Sequence, residues 1–323
     1  MKRVSVIDVG SNSVRLLVAR VDEANIQPLY KTLRTTRLGA GVDANRVLSP
    51  GAVEATLGAV RDFKEKAISM GADEVLAVAT SAVRDASNGE DLIREIRRLG
   101  IRAWVLDGKQ EAELGFVGAA LGCDAGEGCT FLADIGGGST ELVTGMGLRI
   151  NNYKSLDIGA VRLTERFVRN DPVTPAEASE IEHFVTDMLA KNAKDITAGD
   201  CKMIGIGGTI TTLAAVAQGM ERYDSDKVHN FVLTLSEVKC ILEKLALLDI
   251  SKKRKIPGLH PGRADIINAG TIILKCLMEH WGFERITVSE WDGLQGVIYQ
   301  NFIRLHQNTG GIPTSQLRCQ QNE

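Results

Sequence analysis

The sequence predicts an α/β protein built as two similarly folded halves that face one another. Strand-like apolar runs alternate with helical segments along the whole chain, and a stretch near the start recurs 126 residues further on. Placed over each other without a gap, VIDVGSNSVRLLVA (6–19) and LADIGGGSTELVTG (132–145) match at Asp8 and Asp134, Gly10 and Gly136, Ser13 and Ser139, and Leu16 and Leu142. At 323 residues the chain is long enough for two large domains. Their boundary is expected in LGCDAGEGC (121–129), a run of small, turn-forming residues. That gives a first domain over 1–124, a second over 125–300, and a helix end and tail over 301–323.

Strands are expected at VSVIDV, LLVARV, VLAVAT, AWVL, TFLADI, ELVTGM, KMIGIGG and RITVSE, where β-branched and apolar residues cluster. The helix SPGAVEATLGAVRDFKEKAISMG has Ser49 as N-cap, Pro50 at its first position and Gly71 as its stop. NGEDLIREIRRLG ends in Arg97, Arg98 and Gly100, which suit the negative end of a helix dipole and a C-cap. TPAEASEIEHFVTDMLAK opens with Thr174, Pro175 and Glu177, a T-x-x-E capping box.

Composition narrows the function classes. Hydrophobic content of 44% and charged content of 24% are ordinary for a globular protein. No apolar run approaches the roughly 18–20 residues that span a bilayer, so no membrane association is expected. MKRVSVIDVGSNS, interrupted by Ser5 and Asp8, reads as a first strand rather than a secretory signal. The six cysteines contain no C-x-x-C pair, so reduced, buried thiols are expected rather than a disulfide framework or zinc site. These features together point to the cytoplasm. With a net charge of −3 there is no general pull toward nucleic acid, and none is expected as a partner.

The chemistry is suggested by the loops. Gly, Ser and Thr between two strands let several backbone N–H groups converge, a nest that suits phosphate. Asp8 and Asp134 each end a first strand beside such a loop, and Glu141 follows the triple glycine. A carboxylate beside a phosphate is repulsive unless a cation lies between them, and Mg²⁺ bridges the two. Asp134, Glu141 and Asp8 are therefore the expected metal residues, with Mg²⁺ or Mn²⁺ as the cofactor. GIGGTIT (205–211), at a strand-to-helix junction, reads as a third phosphate loop.

Six segments, IDVGSNSVRLLV, VATSAVRDASN, LDGKQEAELGFVG, ADIGGGSTELV, GIGGTITTLAA and IPGLHPGRADIINAG, occur in this order, and from residue 4 to about 300 the chain resembles the exopolyphosphatase / guanosine pentaphosphate phosphohydrolase family. The resemblance implies the actin-like fold shared with sugar kinases and heat-shock-protein ATPases, two domains closing on a phosphate-bearing ligand in the cleft between them. It implies that Glu111 is the catalytic base, that Asp134 and Glu141 surround the metal and attacking water, and that Arg84 meets substrate phosphate. Gly10, Ser11, Asn12 and Ser13 match the first phosphate loop, Gly136, Gly137, Gly138, Ser139 and Thr140 the second, and Gly207, Gly208 and Thr209 the third, while Arg263 matches a phosphate contact. The implied substrates are inorganic polyphosphate and guanosine pentaphosphate, with the tetraphosphate as a further ligand and a homodimer as a possible assembly. Rival readings are a non-catalytic alarmone or polyphosphate sensor and a nucleotide-dependent phosphotransferase on the same fold.

The chain departs from the family pattern at DGKQEA, where Asp107 and Gln110 replace a Ser and the first Glu of S-G-x-E-E-A, and at WDGLQG, where Leu294 and Gln295 stand in a G-L-R-E-G pattern. Longer members carry a further helical half that serves dimerisation and long polyphosphate. KKRK (252–255), followed by Arg263, is the expected basic path for a polyanion. The five histidines lack ligand spacing, and His229 is expected to pack.

Overall fold

The computed structural model describes residues 2–22, 25–123 and 128–304; the expected boundary at 124–125 and the tail from 305 onward lie outside the described residues. The chain begins with β1 (Lys2–Val9), β2 (Ser13–Val21), β3 (Ile26–Thr35), α1 (Val42–Asn45), α2 (Pro50–Ser69) and β4 (Glu74–Ala79). It continues with α3 (Ser81–Asp85), α4 (Gly89–Arg98), β5 (Arg102–Val105) and α5 (Gly108–Gly122). The second sheet starts with β6 (Cys129–Ile135), β7 (Thr140–Met146) and β8 (Arg149–Leu156), then α6 (Ala160–Phe167), α7 (Pro175–Asn192), β9 (Lys202–Ile206) and α8 (Gly208–Ala217). After α9 (Ser225–Val228) come β10 (Val232–Thr234), α10 (Leu235–Ala246), α11 (Ile250–Lys253), α12 (Ile267–Trp281), β11 (Arg285–Val288), α13 (Gly293–Ile298) and a π-helical turn, Tyr299–Arg304.

The repeat read from the sequence is a repeat of topology. The first sheet has the order β3-β2-β1-β4-β5, and the second, read in the same sense, runs β8-β7-β6-β9-β11 with β10 added at its edge. In each, three antiparallel strands joined by hairpins precede strands parallel to the first. Even the hairpin turns correspond, Gly10 N–H donating to the Ser13 carbonyl at 3.1 Å and Gly136 N–H to the Ser139 carbonyl at 3.0 Å. This duplicated α/β arrangement agrees with the two similarly folded domains that the family resemblance implies.

Strand periodicity explains where the chemistry lies. In β1, Ile7 and Val9 enter a core with α2 and α4, while Val4 and Val6 face the other way toward α13. Asp8 shares the parity of Val4 and Val6, so it points between the two sheets. In β6, Phe131, Ala133 and Ile135 enter the large outer core, whereas Leu132 packs on α5. Asp134 shares the parity of Leu132, and Glu141 that of Val143, another α5 neighbour. Asp8, Asp134 and Glu141 thus lie at the loop ends of their strands, on the inner faces.

Helices α5 and α13 fill the space between the sheets, α5 against the second and α13 against the first. They approach so closely that a Cβ on Gly118 would collide with the Asp292 carbonyl and one on Gly296 with that of Leu114. The helix caps follow the sequence reading: Ser49 accepts from Ala52 N–H, and Gly71 and Gly100 adopt φ of 77° and 76°.

At the start of α7, Thr174 Oγ1 accepts from Glu177 N–H, and the Glu177 carboxylate accepts from the Thr174 N–H and hydroxyl, from Arg169 N–H and from Asn170. The Thr174 backbone bond first, then the others, hold the Glu177 carboxyl down to about 2. A depressed carboxylate stabilises the fold above its ordinary value and loses that contribution as pH falls through the folded one. The stability lost in Glu177→Gln is therefore expected to be full above about pH 4.5 and to shrink toward pH 2, read by urea unfolding across that range. Thr174→Ala is expected to cost about 1 kcal/mol at neutral pH.

One expectation needs correction. Cys129 and Cys201 form a disulfide rather than remaining reduced thiols. The parallel register of β6 and β9 sets Thr130 opposite Lys202, so the preceding residues meet across 72 positions, a pairing that local C-x-x-C spacing does not reveal. This removes the support that scattered cysteines lent to a reducing compartment. Cys123 and Cys276 are free and buried and Cys240 free and exposed, while Cys319 lies outside the described residues. In the KKRK run, Lys253 is buried at the end of α11 while Lys252, Arg254 and Lys255 are exposed, and none of the four lines the cavity described below. No helix among the described residues is long and apolar enough to cross a membrane.

Candidate active site

The hairpin loops of both sheets, the β9–α8 junction and the start of α5 converge on a cavity of about 140 Å³. Most expected residues are on its wall: Asp8, Gly10, Ser11, Asn12 and Ser13 from the first loop; Gly136, Gly137 and Ser139 from the second; Gly207, Gly208 and Thr209 from the third; and Glu111, Asp134, Glu141 and Arg263. Three lie off it. Gly138 sits behind the second loop, Thr140 is buried in β7 donating to the Ile158 carbonyl at 2.5 Å, and Arg84 stands behind Glu111.

Each loop is fixed by its own chemistry. The Asn12 carbonyl accepts from Thr36 and Arg37, and the Ser11 carbonyl from Gly39 at 2.7 Å. Gly207 has φ of 93°, and a Cβ there would stand 2.7 Å from Asp134 Oδ1, so only glycine turns the chain this close to the carboxylate. Gly208 lets the Arg263 guanidinium lie over it while Arg263 donates to Thr212 Oγ1 at 2.8 Å.

Glu111 occupies the first turn of α5, and the two departures from the family pattern jointly cap that helix. Asp107 accepts from Gln110 N–H at 2.8 Å, and Gln110 Oε1 accepts from Asp107 N–H at 3.0 Å. This reciprocal box does the work of a Ser–Glu pair and fixes the turn carrying Glu111. Arg84, from α3, donates to the Glu111 carboxylate and to the Leu106 carbonyl at 2.8 Å. At WDGLQG, Leu294 and Gln295 are buried, and Gln295 Oε1 accepts from Asp292 N–H, so no basic group arises there.

Charge is supplied instead by Arg15, which the sequence reading did not single out. It donates to Asp8 Oδ2 at 2.8 and 2.6 Å and to Asp292 Oδ2 at 2.5 Å. The repeat carries a signal for it: Arg15 in the first hairpin occupies the place of Glu141 in the second, opposite Asp8 as Glu141 is opposite Asp134.

Acids outnumber bases on the wall, Asp8, Glu111, Asp134 and Glu141 against Arg15 and Arg263. Burial pushes Glu111 up to about 7, Arg84 opposing and Asp134 and Asp8 reinforcing the rise. Glu141 is raised well above the usual range by burial, then by Glu111 and Asp134, although it accepts from Ser155 Oγ at 2.8 Å. Burial also raises Asp134, against the attraction of Arg15.

A divalent cation fits this donor set. Asp8 Oδ1 is buried without a hydrogen-bond partner, and the donors are hard carboxylate oxygens excess in negative charge. No three acidic, histidine or cysteine residues converge as a closed cage among the described residues. Mg²⁺ does not require one, because it keeps several waters and takes one or two carboxylates plus phosphate oxygens. His229 has a structural place, accepting from Glu290 N–H on Nδ1 and reaching the Gly122 carbonyl through Nε2 at 3.0 Å.

A model of the Ppx/GppA phosphatase family matches residues 17–304. The chain belongs to that family. It is accordingly a phosphoanhydride hydrolase. Among similar proteins, exopolyphosphatase 2 of Mycobacterium tuberculosis is 35% identical over 313 residues, spanning 92% of this chain and 98% of the relative. A bifunctional 3-dehydroquinate synthase/phosphatase of Fusobacterium nucleatum is 36% identical over 307 residues, 91% of this chain and 46% of that one. The crystal structure of the Aquifex aeolicus Ppx/GppA family member superposes with a TM-score of 0.80 at 31% identity, covering 95% of this chain and 99% of the other. Within the Ppx/GppA frame the cavity has a composition suited to phosphoryl chemistry: backbone-rich loops from two halves and a cluster of buried acids whose carboxyls are raised.

Proposed function

We propose that the protein is an exopolyphosphatase that releases terminal orthophosphate from inorganic polyphosphate, with hydrolysis of guanosine pentaphosphate to the tetraphosphate as a second activity. The observation that carries this reading is Glu111, raised to about 7 and lining, with Asp134 and Glu141, a cavity walled by three phosphate-type loops. The similarity to exopolyphosphatase 2 along nearly the full length of both chains supports polyphosphate as the substrate.

The loop N–H groups would bind the terminal phosphoryl group, and Glu111 would take a proton from the water that attacks its phosphorus. Mg²⁺ or Mn²⁺, held by Asp134 and Glu141 with Asp8 alongside, would neutralise phosphate oxygens. Arg263 would meet the chain from the third-loop side. Arg84 holds Glu111 in place and, when phosphate enters, is near enough to the wall to share its charge. A general base contributes ~10²–10⁴-fold, and donors aimed at the developing charge supply much of the remainder.

The test is phosphate release with Mg²⁺ or Mn²⁺ from short polyphosphate, long polyphosphate, guanosine pentaphosphate and ATP offered in parallel. Release from polyphosphate is expected. Binding of any of them without release would replace the enzyme by a sensor, and transfer from ATP to an acceptor without free phosphate would replace it by a phosphotransferase.

A further inference from the structure

Arg162, in the first turn of α6, lies behind the second phosphate loop with its side chain only 10% exposed. Its three donor edges go to three places. Nε–H donates to the Gly138 carbonyl at 2.7 Å, Nη1 to Asp43, and Nη2 to Asp85 Oδ2 at 2.6 Å. Gly138 belongs to the second half, Asp43 and Asp85 to the first. One guanidinium therefore crosses the seam between the halves at the back of the loops.

Two consequences follow from geometry. The peptide joining Gly138 to Ser139 is planar and trans, so its C=O and N–H point in opposite directions. With the carbonyl drawn toward Arg162, the Ser139 N–H is turned away from it, to the side where Ser139 forms part of the cavity wall and Gly138 does not. Second, Asp85 follows Arg84, the residue that holds Glu111, at the end of α3. The phosphate loop and the anchor of the base are thus tied to the same side chain.

We propose that Arg162 is a positioning residue that aims the Ser139 N–H at the reacting phosphate and locks the two halves in the arrangement that sets Glu111 opposite it. This inference rests on the proposed hydrolase reading. A lysine at 162 could keep one ion pair but not the planar three-way fork. The bound polyphosphate chain is held at many points, whereas the reacting group depends on exact aim, so the effect falls on turnover.

The experiment compares full-length wild type, Arg162→Lys, Asp85→Asn and the double variant for melting temperature, kcat and KM on polyphosphate. Arg162→Lys is expected to lose about 100-fold in kcat at a nearly unchanged KM. Asp85→Asn is expected to lose less, and the double variant no more than Arg162→Lys alone. In Arg162→Ala, methylguanidinium but not methylammonium is expected to restore part of the turnover, which a packing role would not allow. A folded Arg162→Lys with wild-type kcat would overturn the proposal. Were Arg162→Lys unable to fold, Asp85→Asn would decide in the same way, reduced kcat supporting the role and unchanged kcat overturning it. If wild type released no phosphate, the hydrolase reading would fail separately, and calorimetric binding of orthophosphate would test the loop: weaker binding in the variants sustains the role of Arg162, and equal binding ends it.

Discussion

Glu111→Gln is expected to fold and bind substrate but to lose turnover by ~10²–10⁴-fold, the contribution of a general base. The amide keeps the shape of the carboxylate and its place in the first turn of α5, capped by Asp107 and Gln110, so the loss is one of chemistry. Its pH behaviour follows from burial, which favours the neutral carboxyl and lifts it to about 7. Only the ionised form accepts a proton, so kcat/KM of the wild type is expected to rise with pH through about 7. Stability runs the other way. A carboxyl whose folded value exceeds its unfolded one binds its proton more tightly in the native state, so stability declines as pH rises from the ordinary value of 4.5 to about 7. Glu111→Gln removes that decline, and urea unfolding should show the variant gaining on the wild type as pH rises across this window. Activity lost and stability gained at one residue is the signature of a group placed for function.

Arg15→Met is expected to produce the largest loss of stability, about 3–5 kcal/mol at neutral pH, because it leaves Asp8 and Asp292 without their shared cation. The side chains of both acids are at least nine-tenths buried. Burial works against the charge of Asp292, but Arg15 and Lys31 outweigh it and hold its carboxyl below the usual range, whereas Asp8 is raised despite Arg15. Without the guanidinium, both carboxyls would take up protons more readily in the folded protein. The variant's deficit should therefore shrink toward about pH 4, where protonation removes the buried charges. A deficit independent of pH would mean that Arg15 contributes by packing alone.

These two residues also mark how far the chain could be read before its structure. Asp8 and Asp134 were legible because loops matching at Asp, Gly and Ser at one offset reflect corresponding hairpins, and Thr174, Ser49 and Gly71 were legible because capping is decided within four residues. Glu111 was different: its place in a helix turn is local, but the role proposed for it came from the family resemblance. Arg15 was overlooked although it lies within the repeat. A cation matched to an acid looks like a mismatch until the register shows that both ends of each hairpin face the cavity. Asp292 and Arg162 could not be anticipated, since their partners lie 277 residues and 119 or 77 residues away. Cys129 and Cys201 were misjudged for the same reason, their meeting being set by parallel strand register. In the KKRK run, local charge shows which residues are basic but not which of them the fold covers: Lys253 is buried while Lys252, Arg254 and Lys255 stay on the surface.

In the proposed reaction, water activated on the Glu111 side of the cleft attacks the terminal phosphorus of a polyphosphate chain. Hydrolysis in ¹⁸O-labelled water, followed by mass analysis of both products, tests it most directly. A single labelled oxygen is expected in each released orthophosphate and none in the shortened chain. Label in the residual chain, or orthophosphate released without label, would contradict it.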